Sequence, residues 1–225
     1  MEINPVAWYH VPLQGKFGLP RQAGLVPELQ GTVRFTTPFD GPDAIRGLAG
    51  FDHIWLLWGF SHNPAPAGTA DKLTVRPPRL GGNTRVGVFA SRSPFRPNPI
   101  GLSCVRLLAI RTGELLVGGA DLADGTPIYD IKPYLPYADA RPDARGGFTD
   151  EVPWETLPVD FSAVRDSIPE QERAILGALL AQDPRPAYHA DDAGRRYGLR
   201  WAGRDIQFCV RDGKILVLSA EKMYI

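Results

Sequence analysis

Arg92 and Arg96 stand four residues apart in ASRSPFRPNPIGLS, Ala90–Ser103, a run with three prolines, two arginines and no acid. Each proline ring fixes φ and removes an N–H, so this run cannot be helical. Ser93, Arg96 and Asn98 each precede a proline and are pushed toward extended backbone. A stiff loop loses little entropy when a ligand arrives, and guanidinium forks match carboxylate or phosphate. Gly101 lets the backbone turn or approach a ligand. The chemistry is anion recognition. The same residues also suit a rigid connector with solvated arginines.

Three more loops carry polar groups on stiff backbone. In DLADGTPIYDIKPYLPYAD, Asp121–Asp139, the stretch Asp124-Gly125-Thr126-Pro127 is turn chemistry: Asp bonds the backbone, Gly takes positive φ, and Pro opens the next extended segment. The segment after it carries Lys132, Tyr134 and Tyr137 between prolines. Aromatics beside a cation suit stacking on a nucleobase, or equally a barrel rim. Arg21 and Gln22 sit between Pro20 and Gly24, and His62 and Asn63 follow the apolar run HIWLLWGF. His53, at the start of that run, reads as a structural histidine. No GxGxxG follows a strand, and GxxxxGKS, HExxH, GxSxG and paired CxxC are missing from the sequence, so a Rossmann nucleotide site, a P-loop and a metal are not expected. Cys104 and Cys209 are the only cysteines and form no disulfide framework.

Short strands must position these loops. TVRF (32–35), HIWLLWGF (53–60), RVGVFA (85–90) and LSCVRLLAI (102–110) are rich in β-branched, aromatic and aliphatic residues and bounded by Gly or Pro. A hairpin turns at Thr112–Gly113, and only DAIRGL (43–48) suggests a helical turn in this part. The polar, Gly-rich RPDARGGFTDEV reads as a linker. Beyond it Ser167 is the expected N-cap, with Glu170 in capping-box spacing, for a helix through ERAILGALLAQ that ends at Pro184. A hairpin turning at Asp212-Gly213 follows. The expected fold is mainly β: a barrel or sandwich over residues 1–140, a linker over 141–157, and a small α+β domain over 158–225. The linker predicts a β-rich first unit that folds without the C-terminal unit.

Composition supports this. Gly (24) and Pro (22) make up 46 of 225 residues, about a fifth against an average near 12%, which favours turns and short strands. The formal net charge is +0, yet Lys72–Arg111 holds eight cations and no acid, whereas Glu114–Glu172 holds thirteen acids and four cations. The basic block includes the opening loop. The N-terminal residues resemble no signal or transit peptide, and no run approaches the ~18 apolar residues of a membrane span. A cytoplasmic, metal-free protein with no membrane partner is expected.

Several of these segments together carry a resemblance. PRLGGNTRVGVFASRSPFRPNPIGLS (78–103), LADGTPIYDIKPYLPYAD (122–139), LPRQAGLV, AIRGLAGFDHIWLL and LLAQDPRPAYH (179–189) closely resemble the TsaA-like tRNA methyltransferases, the TrmO family. The resemblance covers nearly the whole chain. It implies a single-sheet, non-Rossmann β-barrel methyltransferase that forms a homodimer and uses S-adenosylmethionine. It also implies the substrate, the anticodon arm of tRNA carrying N6-threonylcarbamoyladenosine at position 37, methylated on N6. Carried over by position, the cofactor residues are Pro20, Arg21, Gln22, His62, Asn63, Arg92, Leu102, Leu122, Ala123, Asp124 and Gly125. His10 stands where members commonly show Arg, which puts a donor role there in doubt. Asn63 stands where members often carry Gln.

The methyl of a sulfonium is already activated, so alignment is the main task. The N6 lone pair is delocalised, so a carboxylate that accepts its proton would help. Asp124 and Asp130 are the expected catalytic carboxylates, with Arg96, Lys132 and Tyr134 on the substrate side. Two rival readings stand beside this one: a non-catalytic RNA-binding barrel, and a methyltransferase for a small metabolite.

Overall fold

The structure, a computed structural model, describes residues 2–60, 73–152, 155–185 and 194–223. The chain runs through β1 (Ala7–His10), β2 (Leu13–Gln14), β3 (Gln30–Phe35), β4 (His53–Gly59), β5 (Thr74–Val75), β6 (Val86–Gly87), β7 (Ile100–Arg111), β8 (Glu114–Gly118) and β9 (Thr126–Pro133). It continues with α1 (Pro136–Asp139), α2 (Phe148–Glu151), β10 (Val159–Asp160), α3 (Glu170–Ala181), β11 (Tyr197–Trp201), β12 (Arg204–Arg211) and β13 (Lys214–Lys222).

Strand alternation explains the barrel. In β4, Ile54, Leu56 and Trp58 are buried while His53 is exposed and Trp55 and Leu57 are half-buried, the period of a strand with one face on a core. Six strands close into a barrel in the order β1-β3-β8-β7-β4-β9, and every neighbouring pair is antiparallel. Closure removes all edges. The interior holds Ala7, Tyr9, Val33, Ile54, Leu56, Val105, Leu115, Val117 and Ile128. Because the strands alternate in direction, three connections gather at one end: β1–β3 (residues 11–29), β4–β7 (its described residues 60 and 73–99) and β8–β9 (residues 119–125). These are the loops that carry most of the polar candidates.

The second sheet has the order β10-β13-β12-β11-β2 and packs with α3. Leu176, Leu179 and Leu180 of α3 are buried in one cluster with Ile206, Phe208, Ile215 and Val217. Asp212 (φ 51) and Gly213 (φ 69) make the β12–β13 turn with positive φ at both positions, as the sequence predicts. Strand β2 comes from the first unit, yet it forms the edge of this sheet through Arg200↔Gln14 and Trp201↔Leu13. Leu13 is fully buried there. The two units therefore share buried residues at this seam, across the boundary that the sequence leads one to expect.

Local expectations differ in four places. RVGVFA is a strand only at Val86–Gly87; Val88–Ala90 turns as a 3-10 helix, closed by the Ser91 hydroxyl donating to the Val88 carbonyl at 3.0 Å. The 43–48 stretch forms turns and only Leu48–Gly50 is a 3-10 helix. Helix α3 takes Pro169 as its N-cap; Ser167 instead closes a 3-10 stretch that the Arg173 guanidinium holds through the Arg165 and Ile168 carbonyls. The Gly-rich linker is also pinned: Arg79 donates to the carbonyls of Thr149 at 2.6 Å and Val152 at 2.5 Å.

Candidate functional site

A cavity of about 410 Å³ opens at the barrel end where the three connections meet. Its volume falls within the range of small-molecule sites. Pro20, Arg21 and Gln22 line one side; Ser91, Arg92, Pro94 and Arg96 line another. Trp58, Phe60, Gly101 and Leu102 come from the ends of β4 and β7, and Asp121 and Ala123 from the β8–β9 connection. Of the expected cofactor residues, the fold thus brings Pro20, Arg21, Gln22, Arg92, Leu102 and Ala123 to one cavity. His62 and Asn63 lie outside the described residues.

The two arginine loops are tied together. Arg92 Nη1 donates to Gln22 Oε1 at 2.7 Å, which crosslinks the 20–24 and 91–96 loops over the cavity. Arg21 Nη2 donates to the Asp183 carbonyl at 3.2 Å, and burial pushes its pKa below the usual arginine value. Arg96 Nη1 donates to the carbonyls of Ser91 (3.0 Å) and Ser93 (3.3 Å), so one of its nitrogens holds its own loop. Several other cations of the basic block are also spent internally, Arg85 on Thr74 and Arg111 on Glu114.

Running from the core to the cavity is a chain of polar groups, buried at Trp58 and Ser103 and half-buried at Asp121, that sequence reasoning missed. Trp58 Nε1 donates to Ser103 Oγ at 2.9 Å, and Ser103 Oγ donates to Asp121 Oδ1 at 2.5 Å. Gly101 permits this: a Cβ there would sit 2.3 Å from the Trp58 indole. Burial pushes the Asp121 carboxyl above the usual carboxylate range, against the opposing pull of Ser103, backbone N–H groups including that of Ala23, and the Arg92 charge. A carboxylate so placed is a functional-site signal. Two sequence signals point to this pair. Ser103 occupies an inward position of an apolar strand, and Asp121 follows the apolar run LLVGGA.

The expected carboxylates sit elsewhere. Asp124 Oδ1 accepts from the Val11 N–H at 3.2 Å and pairs with His10 Nδ1 at 3.3 Å, and Gly125 N donates to the Tyr9 carbonyl at 2.8 Å. These contacts staple the 122–125 turn to β1, and they give His10 a partner. Leu122 is buried in the core. Asp130 accepts from its neighbour Ile131 N–H and pairs with Lys132 at 2.7 Å. Neither Asp124, Gly125, Asp130 nor Lys132 lines the cavity. Tyr134 packs against His53 and Trp55, with ring centroids 6.1 and 5.9 Å apart, and Trp55 itself borders the cavity.

The donor set fits S-adenosylmethionine. Arginines suit its carboxylate, Asp121 suits a cationic or proton-bearing group, and Leu19, Pro20, Phe60 and Leu102 offer apolar surface for an adenine ring. Among the described residues no group of three or more His, Cys, Asp or Glu is placed to hold a metal, and no helix is long and apolar enough to cross a membrane.

Comparison with known proteins agrees with this geometry. Residues 8–140 match the family described as the tRNA-methyltransferase O N-terminal domain, and residues 155–223 match the TrmO C-terminal domain. A tRNA (adenine(37)-N6)-methyltransferase of Escherichia coli is 40% identical over 93% of each chain. A Pseudomonas aeruginosa protein described as a candidate S-adenosylmethionine-dependent methyltransferase is 43% identical, over 92% of this chain and 91% of its own. A crystal structure of TrmO from P. aeruginosa superposes with a TM-score of 0.80 at 35% identity, covering 99% of this chain and 97% of that one. With both of its domains matched and such identity end to end, the chain belongs to the tRNA-methyltransferase O family.

Proposed function

We propose that the protein is an S-adenosylmethionine-dependent methyltransferase that methylates N6 of N6-threonylcarbamoyladenosine at tRNA position 37. The observation that carries this is the cavity at the barrel end, where family-matched residues from two separate loops, Pro20–Gln22 and Arg92, converge on a half-buried carboxylate, Asp121. S-adenosylmethionine, when bound, supplies a methyl on a sulfonium that is already activated for transfer. Arg92 and Arg21 hold anionic groups, and Pro20, Gln22, Leu102 and Ala123 complete the cofactor wall. Asp121, rather than Asp124 or Asp130, accepts the N6 proton. Its Ser103 hydrogen bond, itself oriented by Trp58, fixes one carboxylate oxygen in place. Exclusion of water by Trp58 and Phe60, packed edge to face at 4.4 Å, strengthens each of these interactions.

The substrate side is the ledge formed by Trp55 and Tyr134, with Lys132 opposite Trp55 in the β4–β9 register and Arg96 on the cavity rim. An adenine stacked on such rings contributes about 1–3 kcal/mol. In this reading residues 1–140 are the catalytic barrel, 141–157 connect, and 158–225 contact the anticodon arm. A homodimer in the cytoplasm is part of the same proposal; exposed Phe89 and Phe95 beside the arginine loop offer apolar surface to a second copy. The test is mass spectrometry of tRNA nucleosides after incubation with the enzyme and S-adenosylmethionine. The threonylcarbamoyladenosine nucleoside should gain the mass of one methyl group. Unchanged nucleosides beside demonstrable cofactor binding would leave a binding protein instead.

A further inference from the structure

The segment from Leu13 to Arg21 supplies one wall of the cavity, through Lys16, Leu19, Pro20 and Arg21. It belongs to the first unit by sequence, yet the C-terminal unit mounts it at three points. At its start, β2 pairs with β11. In its middle, the Phe17 ring stacks on Tyr197 at 6.2 Å and Phe208 at 6.1 Å. At its end, Arg21 Nη2 donates to the carbonyl of Asp183, just past α3.

That last partner is held in an unusual way. Asp183 has φ 47, the left-handed conformation in which a helix commonly ends and which favours glycine. An aspartate there costs backbone strain. Its carboxylate supplies what a glycine lacks. Arg185 grips it with two parallel hydrogen bonds, Nε to Oδ1 at 2.8 Å and Nη2 to Oδ2 at 2.9 Å. Arg185 is only 8% exposed. A bidentate pair of this kind fixes geometry as well as charge. The turn QDPR, part of a motif with no role in the chemistry described above, is thus a rigid bracket whose carbonyl faces the cavity arginine.

We infer that the C-terminal unit holds one wall of the cofactor cavity in its binding shape, with Asp183 and Arg185 as positioning residues for Arg21. The inference rests on reading the cavity as the S-adenosylmethionine site. Phe17 and β2 set the depth of the wall; the bracket sets the direction of the guanidinium. Neither Asp183 nor Arg185 lines the cavity, so their effect passes through Arg21.

Calorimetry with S-adenosylmethionine on the full chain tests this. Asp183→Gly keeps a residue that tolerates the left-handed turn and removes the grip; Arg185→Lys keeps the charge and removes the fork. Each should weaken binding roughly tenfold, and Arg21→Ala roughly ten- to a hundredfold. In an Arg21→Ala background the two bracket substitutions should weaken binding no further. A merely structural bracket would instead lower the melting temperature and leave affinity unchanged well below it. Wild-type affinity in both bracket variants, beside weakened Arg21→Ala and Arg92→Lys, overturns the coupling and leaves the cavity assignment standing. Full additivity in the double variants overturns Arg21 as the route. Wild-type affinity in both Arg21→Ala and Arg92→Lys overturns the cofactor reading itself, and the coupling with it.

Discussion

Replacing Asp121 by asparagine separates the roles of the Trp58–Ser103–Asp121 chain at the cavity. The substitution is nearly isosteric, and the amide oxygen can still accept from Ser103 Oγ. The amide nitrogen cannot accept, so one of the backbone hydrogen bonds made by the carboxylate, such as that from Ala23, is lost at about 1 kcal/mol. Against this, the neutral amide escapes the desolvation that holds the carboxyl above its usual range. The two changes oppose, so the melting temperature should move by no more than about 2–4 °C, the equivalent of 1 kcal/mol for a chain of this size. Turnover should behave differently. Loss of a positioned proton acceptor costs about 10²–10⁴-fold, or about 2.7–5.5 kcal/mol of barrier. The pH profile adds a second readout. Wild-type kcat/KM should rise with pH as Asp121 ionises, at a value above the ordinary carboxylate range, and Asp121→Asn should lack that limb. The sign for stability runs the other way. With its pKa raised in the native state, Asp121 favours folding below that pKa, and the contribution fades as pH rises through it. The assay is transfer of labelled methyl to modified tRNA, with a thermal melt on the same samples. Turnover within tenfold of wild type across pH would refute the assignment.

Other outcomes follow from the same geometry. Arg92→Lys loses the fork that reaches Gln22 and should weaken S-adenosylmethionine binding roughly tenfold by calorimetry; unchanged affinity would make the loop a connector only. Gly101→Ala drives a Cβ into the Trp58 indole, so a thermal melt should show about 1–3 kcal/mol of destabilisation, with cofactor binding weakened through Ser103. A chain ending at Val152 leaves buried Leu13 without its partner strand; it should aggregate, or bind cofactor at least about tenfold more weakly, the loss of one charge-assisted hydrogen bond. Asp160, pulled down to about 2 chiefly by the hydrogen bond from Lys214, contributes stability that is present above the ordinary carboxylate pKa and lost as pH falls toward 2. Asp160→Asn should flatten that acid limb in a pH series of melts.

Much of the barrel is legible in the sequence because alternation and turn residues act locally. The runs at 53–60 and 102–110 and the Asp212-Gly213 turn needed no tertiary information. The loop arginines were legible for the same reason, since proline stiffness is a property of neighbours in sequence. What escaped depends on residues far apart. Asp124 drew attention as part of a turn signature, and the fold spends it on that turn. Asp121 gains its character only when the fold withdraws it from water and sets it against Ser103, eighteen residues away. Strand β2 is two residues long, too short for any periodicity, and its membership of the second sheet is set by Leu13 reaching a core built from the far end of the chain.

That two-residue strand also orders events during synthesis. Strand β1 cannot close the barrel until β9, residues 126–133, has left the ribosome. Leu13 and Gln14 must wait longer, until Arg200 and Trp201 emerge. Through that interval the nascent chain carries an unsatisfied strand edge and an exposed leucine beside a barrel that is already closable. Contacts of such sequence separation form slowly and leave sticky surface on view meanwhile. A piece among the first translated therefore waits for residues near the end of the chain, and the cavity wall attached to it can mature only once nearly the whole chain exists.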